Sequence, residues 1–500
     1  MNIAMVLDLV ADTLGDRVAL SDAGEELTYG DLRRLARATA AQLRTLGAST
    51  LAYADVNSPG VPTALFGAAW AGAAYAPLNF RLPAEALRAQ IARLDHPLTV
   101  TSGALAAQLT EVRPQPAHDW LDALRRSPDA PATTYDAEPE RPAVVLFTSG
   151  SSGTPKAALL SHDNLLSYIL ETVEFAGAGP DEALILAAPP FHIAGVAAVL
   201  TSVYSGRRII LLPAFTAGAW LELARSQGAT HAFLVPTMLA RIVQEMASDP
   251  DLGVPTLRSI SYGGARMAAP VLEWALELFP EVSFVNAYGL TETSSTIALL
   301  GPEDHRLALA SDEPRVRRRL ESVGRPLPGV EVSVLDESGS EAPTGTTGTI
   351  RVRGPQVGGT YLDTASSLDE GGWLTTGDVG HLDPDGFLFV EGRADDVIIK
   401  GGENLSPAEI EDTLLRHPAV LAAAVVAVPD PEWGESVGAA VVVAGPGEDL
   451  REDLLAWVRG ALGSLKTPTR LEFVDELPTT ATGKILRREV RRSLASPAPP

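Results

Sequence analysis

"TSGSSGTPKAA", residues Thr148 to Ala158, sets five hydroxyl side chains and two glycines within seven residues and then closes on Pro155 and Lys156. It follows directly on "AVVLF", Ala143 to Phe147, a continuous apolar run that reads as a buried strand. Gly150 and Gly153 let backbone N–H groups converge on one point, and Thr148, Ser149, Ser151, Ser152 and Thr154 add hydroxyl donors around it. Such a nest suits a polyphosphate, with Lys156 as its cation. It is not a Walker A loop, which needs Gly-Lys-Ser/Thr opening a helix, because Thr154 and Pro155 stand between Gly153 and Lys156. A Ser/Gly linker has the same composition, but a linker seldom abuts a hydrophobic strand and ends on a lysine.

Lysine is scarce in this chain. Only four of the 39 basic residues are lysines (Lys156, Lys400, Lys466 and Lys484), leaving 35 arginines. Positions that need only positive charge have gone to arginine, so a remaining lysine is a candidate for work that needs a compact ammonium on a flexible stem. A formal charge of −24 over 500 residues argues against a nucleic-acid binder, and phosphates bound here would need neutral donors and a metal. The absence of cysteine excludes disulfides, thiolate metal sites and a cysteine nucleophile. Any thiol in the chemistry comes from outside.

The N-terminal "MNIAMVLDLVADTLGDR" lacks a basic n-region and carries Asp8 and Asp12 within its apolar pattern, so it is not a secretory signal. The apolar stretch Ile185 to Tyr204 is broken by Pro189, Pro190 and His192 and reads as strand, turn and buried helix instead of a membrane span. A cytoplasmic protein is expected.

Around the opening stretch, strand and helix patterns alternate. "TYGDLRRLARATAAQLRTLGA" puts Leu32, Leu35, Ala36, Leu43 and Leu46 on one helical face and stops at Gly47. After the hydroxyl-rich loop come "ALILAAPP", "RRIILLP", "THAFLVP", "SISYGGA" and "VSFVNAYG", separated by helical segments, the signature of an α/β protein with largely parallel sheets. From Val323 the texture becomes short strands with Gly, Pro and Asp turns, a β-rich subdomain over about 323–391. A third texture begins near Gly392, where "SPAEIEDTLLRHPAV" predicts a helix with Ser406 as N-cap and Pro407 at its first position. The last hundred or so residues have the pattern of a separate α+β domain.

The whole chain resembles the adenylate-forming superfamily of acyl-CoA synthetases, peptide-synthetase adenylation domains and luciferases. "LFTSGSSGTPKAA" is similar to its phosphate-binding motif, and six further motifs stand in the expected order: "PPFHIAG" (189–195), "YGGA" (262–265), "NAYGLTET" (286–293), "TGD" (376–378), "GRADDVIIKGGENLSPAEIE" (392–411) and "PTTATGKILRRE" (478–489). The resemblance implies a large N-terminal domain of stacked mixed and parallel sheets with helices, residues 1–391, and a small mobile C-terminal domain, residues 395–500, with a hinge at Asp395.

The same resemblance implies roles. Thr148 to Thr154 and Lys156 would hold the ATP phosphates. Gly264 and Ala265 would form one side of an adenine slot, and Asn286, Ala287, Tyr288 and Gly289 the other, with Thr291 on phosphate and Glu292 on Mg²⁺. Arg266 departs from the proline or small residue usual after that slot. Asp378 would accept from both ribose hydroxyls, as a carboxylate can, supported by Arg393. Lys484 would be the catalytic lysine of adenylation, stabilising charge that builds as a carboxylate attacks the α-phosphorus. His192 would border the acyl pocket and act as a gate, together with Ile193, Gly195, His231, Val235, Gly263, Gly264 and Thr293. Lys400, Gly401 and Gly402 would face the coenzyme A channel, and Lys466 takes no catalytic role.

The reaction implied is that of an acid–CoA ligase with ATP, Mg²⁺ and coenzyme A, acting as a monomer or a homodimer on a fatty or aryl acid. Two alternatives keep the fold: a stand-alone enzyme loading a carrier protein, and a diazotase that activates nitrite for an aryl amine. The pocket stretches carry no arginine or lysine placed to grip a second carboxylate, which disfavours a dicarboxylate substrate. An inactive ATP-binding module is disfavoured because the lysine, the glutamate and the ribose aspartate are all present.

Overall fold

Thr28 and Asp31 form a reciprocal capping box that starts the helix Tyr29–Leu46, and Gly47, in the left-handed region at φ 63°, ends it. Its Leu32, Leu35, Ala36 and Leu43 are buried as the sequence pattern predicts, but Leu46, expected on the same face, is 56% exposed at the helix end before Gly47. Helices Gly60–Ala71 and Ile193–Ser205 are apolar nearly all round, as helices with protein on every side must be. They lie between two sheets, because one core joins Ala64 and Val199 to Tyr53 and Val144 of one sheet and to Leu184 and Ile209 of the other. The outer faces are closed by Trp220 and Leu239 on one side and by Leu87 and Leu109 on the other. The broken apolar stretch Ile185 to Tyr204 is thus a strand, a turn and a buried helix. Among the described residues no helix is long and apolar enough to cross a membrane.

The computed structural model describes residues 1–130, 141–148, 155–249, 252–430, 433–445, 450–480 and 483–495. Among these, the first large sheet has nine strands, with Val18–Asp22, Arg208–Leu211, Ala183–Leu186, His231–Leu234, Ser259–Gly263 and Ser283–Leu290 running parallel through its middle. The second has seven, parallel at Ala74–Pro77, Thr50–Ala54 and Pro97–Thr101. At its other end Pro142–Thr148 pairs antiparallel with Lys156–Ser161, Thr148 opposite Lys156. The hydroxyl-rich loop therefore joins two strands of a hairpin, a different setting from the strand-to-helix turn of a Walker loop.

A four-stranded antiparallel sheet, Glu331–Leu335, Gly348–Arg353, Leu374–Leu382 and Leu388–Arg393, forms the β-rich part. The residues from Ile398 onward build their own five-stranded sheet and their own core around Ile410, Val425, Val437 and Leu454. A long hairpin, Val420–Asp430 with Gly434–Val443, dominates it. Helix Pro407–Leu415 begins where the sequence places it, but Ser406 does not cap it. Its hydroxyl donates instead to the Glu391 carbonyl at 3.3 Å, across the join between the two domains.

Candidate active site

Open parallel sheets bind ligands beyond the carboxyl ends of their strands. Three such ends meet here: Leu234–Val235, Gly263–Gly264 and the Tyr288–Gly289 segment. A Cβ on Gly263 would stand 2.1 Å from the Ala287 carbonyl oxygen, so a side chain there would force the two strands apart. Gly264, at φ 82°, faces Val235 across van der Waals distance, and Ala265 is exposed at the rim. The result is a flat, side-chain-free slot with Tyr288 on its far side. Asn286 reaches away from it, donating to the Ser322 carbonyl at 3.1 Å.

Asp378 and Arg393 face each other on adjacent antiparallel strands, and Arg393 Nε lies 2.9 Å from Asp378 Oδ1. The Tyr288 hydroxyl donates to Asp378 Oδ2 at 2.5 Å, and Arg393 also donates to the Thr376 carbonyl at 2.9 Å. Three sequence motifs, from Tyr288 to Arg393, thus converge on one carboxylate. Burial pushes the Asp378 carboxyl above its ordinary value, while Arg393, Tyr288 and Lys484 pull it back. Burial and the Asp378 charge hold the Tyr288 hydroxyl well above its usual range, so it remains a donor.

Glu292 sits in the short turn Thr291–Thr293, where the chain doubles back into the next strand. Ser294 and Ser295 have φ 55° and 114°, left-handed backbone without glycine, a strain of the kind that clusters at functional sites. Tyr361 donates to Glu292 Oε1 at 2.7 Å, and the Lys156 ammonium stands 5.3 Å from the centre of the Tyr361 ring. Thr148 Oγ1 is near the Lys156 carbonyl at 3.4 Å. Arg93 braces the same hairpin, donating to the Pro155 carbonyl at 2.8 Å while paired with Asp363. Ser149, Gly150, Ser151, Ser152, Gly153 and Thr154 lie outside the described residues.

Among the described residues no cluster of three or more metal-ligating side chains exists. A carboxylate beside the hairpin expected to hold phosphates is nonetheless a fitting donor for Mg²⁺, which takes one or two carboxylates and completes its shell with phosphate oxygens and water.

The second domain brings Lys484 to this cleft. Thr480 and Lys484 close a tight turn in which Thr480 N–H donates to the Lys484 carbonyl at 2.7 Å. Gly483, at φ 76°, packs so closely on Thr237 of the large domain that a Cβ would meet its Oγ1 at 2.2 Å. Lys484 is exposed to the open cleft, yet enough protein surrounds it that desolvation, and then the Arg393 charge, depress its pKa; Asp378 and Glu292 act in the opposite direction. It also acts on His192, whose ring burial and Lys484 together push down to about 4.

His192 caps the helix Ile193–Ser205, its Nδ1 accepting from Ala194 N–H at 3.2 Å. Gly195 packs against the Pro189 carbonyl, and Phe191 meets Phe80 edge to face. The ring is neutral at pH 7, which suits pocket lining and not proton transfer. His162 and His231 are likewise depressed to about 4. Since the ordinary value is 6.5, the unfolded chain binds protons that the folded chain refuses, and stability is lost as pH falls from 6.5 towards 4. Calorimetry between pH 7.5 and 4.5 is expected to show the unfolding temperature falling through that window.

One further contact ties the small domain to the large one. Arg266 makes a two-pronged ion pair with Asp412 on helix Pro407–Leu415, at 2.8 and 2.5 Å. The residue that departs from the family pattern is therefore a clasp between domains. Within the small domain, next to Asp395, the position expected as a hinge, Asp396 lies 3.7 Å from Arg487, which is itself held by Glu411 and by the Val425 carbonyl. Removing the clasp with Arg266→Ala is expected to slow the adenylation that the resemblance implies about two- to fivefold, the worth of a partly exposed pair. The thioester half-reaction is expected to stay within experimental error, and comparing the two half-reactions checks this.

Three expected pocket or channel residues lie elsewhere. His231 starts its strand, so it faces the opposite end of the sheet from Val235, beside Thr230 and Glu182. The surface depression there, about 500 Å³ and lined by Asp181, Arg208 and Arg258, already has Arg258 paired with Asp181. Thr293 is fully buried beneath the turn, its hydroxyl donating towards Leu290 and Ser295 carbonyls. Lys400 points into the small domain and donates to the Leu465 carbonyl, whereas Gly401 and Gly402, both at positive φ, lie at the surface beside it. Arg487 lies in a matched motif, whereas Tyr361 and Arg93 lie outside all of them and carried no signal in the sequence.

Comparison with known proteins agrees with this geometry. Residues 7–362 match the family model of the AMP-binding enzyme, and residues 409–484 that of the AMP-binding enzyme C-terminal domain. Feruloyl-CoA synthase of an Amycolatopsis species is 35% identical, covering 95% of each chain. A fatty acid–[acyl-carrier-protein] ligase of Streptomyces coeruleorubidus is 33% identical, covering 94% of this chain and 92% of its own. Among solved structures, the amide bond synthetase of Marinactinospora thermotolerans superposes with TM-score 0.84 at 32% identity, over 98% of this chain and 99% of its own. The o-succinylbenzoate CoA synthetase of Bacillus subtilis superposes in its complex with the acyl-adenylate intermediate, with TM-score 0.83 at 28% identity over 97% of each chain. A structure of the same enzyme with ATP and magnesium ion gives TM-score 0.82 at 27% identity, over 98% of this chain and 99% of its own. The chain belongs to the AMP-binding enzyme family and is an adenylate-forming acid–thiol ligase of the acyl-CoA synthetase group.

Proposed function

We infer that the cleft between the two domains carries both half-reactions of an ATP-dependent acid–CoA ligase. An acid carboxylate oxygen attacks the α-phosphorus of ATP, the bond to the bridging oxygen breaks, and pyrophosphate leaves; the thiol sulfur of coenzyme A then attacks the acyl carbon and AMP departs. The observation that carries this reading is the convergence of Asp378, Tyr288, Glu292 and His192 with Lys484 supplied from the other domain.

In this reading the Gly263–Gly264 strand end and the Tyr288 ring sandwich adenine, and Asp378, aimed by Tyr288 and Arg393, takes the ribose hydroxyls. Thr148, Thr291 and Lys156 face the phosphates. Glu292 would hold Mg²⁺, which when bound neutralises charge on the departing pyrophosphate. The Lys484 ammonium stabilises the charge that collects on the attacked phosphate and the acyl oxygen. His192 and Val235 border the acyl group. For the thiol to enter, the small domain turns about Asp395, withdrawing Lys484 and breaking the Arg266 to Asp412 clasp. The boundaries 1–391 and 395–500 follow from a hinge there.

The resemblance to the carrier-protein ligase supports a second reading in which the acceptor is a carrier-bound thiol. A panel of fatty and aryl acids, with and without coenzyme A, with a carrier protein, and with nitrite and an aryl amine, decides among these by AMP and pyrophosphate release. Thioester formation with free coenzyme A is expected. Carrier loading without it, or AMP release that requires nitrite, would overturn the assignment.

A further inference from the structure

We propose that Tyr361 is the positioning residue for Glu292, setting the carboxylate oxygen that meets the divalent cation. This rests on the reading of Glu292 as a cation ligand given above. The two residues are 69 apart in sequence, Tyr361 on the edge strand of the seven-stranded sheet and Glu292 in a turn between strands of the nine-stranded one, yet the Tyr361 hydroxyl donates to Glu292 Oε1 at 2.7 Å. The residues just before the Thr360–Tyr361 strand hold the Glu292 main chain, since Gly358 N–H donates to the Glu292 carbonyl at 2.7 Å. Glu292 is therefore gripped at both backbone and side chain by one short segment. That segment is itself fixed to the phosphate hairpin, with Tyr361 opposite Ala158 and Leu362 N–H on the Ala157 carbonyl.

Among the described residues no donor is bonded to Glu292 Oε2, so the second oxygen is the one left to take a ligand. The ring has a second use. Its face lies 5.3 Å from the Lys156 ammonium, close enough for attraction between the cation and the ring. Tyr361 thus sits between the two groups that meet the polyphosphate with opposite charge, and keeps Glu292 from folding back onto Lys156. Partners of a ligating carboxylate or imidazole tune metal affinity by about ten- to a hundredfold.

Tyr361→Phe deletes the hydroxyl while keeping the ring and the strand pairing. Electron paramagnetic resonance of Mn²⁺ in the presence of a non-hydrolysable ATP analogue is expected to show about ten- to a hundredfold weaker cation binding than wild type. Excess Mg²⁺ is expected to restore the rate of adenylation. Thioester formation from supplied acyl-adenylate, which involves no β- or γ-phosphate, is expected to change less than twofold. Tyr361→Leu, which also removes the ring, is expected to raise the KM for ATP further without further loss of Mn²⁺ affinity. Glu292→Gln separates the two levels. If it loses Mn²⁺ affinity and Tyr361→Phe does not, the role given to Tyr361 is wrong. Unchanged Mn²⁺ affinity in Glu292→Gln itself overturns the cation reading beneath it, and equal loss of both half-reactions in Tyr361→Phe makes the residue merely structural.

Discussion

Lys484→Ala is expected to slow acyl-adenylate formation by at least about 100-fold, the cost of deleting one preorganised group aimed at developing charge. The KM for ATP is expected to change only a few-fold, because Asp378, Tyr288 and Arg393 hold one another without the lysine. Thioester formation from supplied acyl-adenylate and coenzyme A is expected to survive, since the proposed turn about Asp395 withdraws Lys484 before that step. ATP–pyrophosphate exchange measures the first half-reaction and a stopped-flow assay with synthetic adenylate measures the second. Lys484→Arg is not expected to rescue the first, because a planar fork does not replace a compact ammonium. The depressed pKa adds a signature in the wild type. The ammonium is lost below the ordinary lysine value of 10.5, so adenylation is expected to fall on the alkaline side before a free lysine would titrate. Normal exchange in Lys484→Ala would remove the lysine from the chemistry.

Asp378→Asn is expected to raise the KM for ATP by about 30- to 100-fold, the worth of hydrogen bonds to a charged acceptor. An amide cannot accept from two ribose hydroxyls while also accepting from Tyr288 and facing Arg393. Asp378 is only 8% exposed whereas Arg393 is 47% exposed, so the arginine can turn to water and the fold is expected to tolerate the change. Asp378→Ala leaves the buried Tyr288 hydroxyl without its acceptor and is expected to cost a further 1–3 kcal/mol or so in stability. Binding of a 2′,3′-dideoxy ATP analogue provides the control. Wild type is expected to discriminate strongly against it, and Asp378→Asn hardly at all.

The legible parts of this molecule are those where a local pattern has one physical outcome. The apolar run Ala143 to Phe147 reads as a buried strand, and an apolar stretch broken by Pro189 and Pro190 cannot be one long helix. Gly263, Gly264, Asp378 and Lys484 stood out through the resemblance of their motifs to the adenylate-forming family. What stayed hidden depends on direction and distance. His231 and Val235 are four residues apart, but a strand rises about 3.3 Å per residue. Only the carboxyl end of a parallel strand faces the ligand, and His231 occupies the other. Thr293 shares its motif with Glu292, yet the left-handed turn at Ser294 rolls it under the site. Arg266 looked like an anomaly at a pocket edge, and the residue that explains it, Asp412, lies 146 positions away in another domain. Tyr361 acts through a contact between two sheets that periodicity does not report.

The central claim is that one cleft makes an acyl-adenylate and then passes the acyl group to a thiol. A single-turnover experiment tests it most directly: excess enzyme is mixed with α-³²P-ATP, Mg²⁺ and an accepted acid, without coenzyme A, and quenched. Acyl-adenylate and pyrophosphate are expected to accumulate in equal amounts, and addition of coenzyme A is expected to convert the adenylate to thioester and AMP. ADP and orthophosphate as products, or an adenylate that coenzyme A does not discharge, would contradict the account.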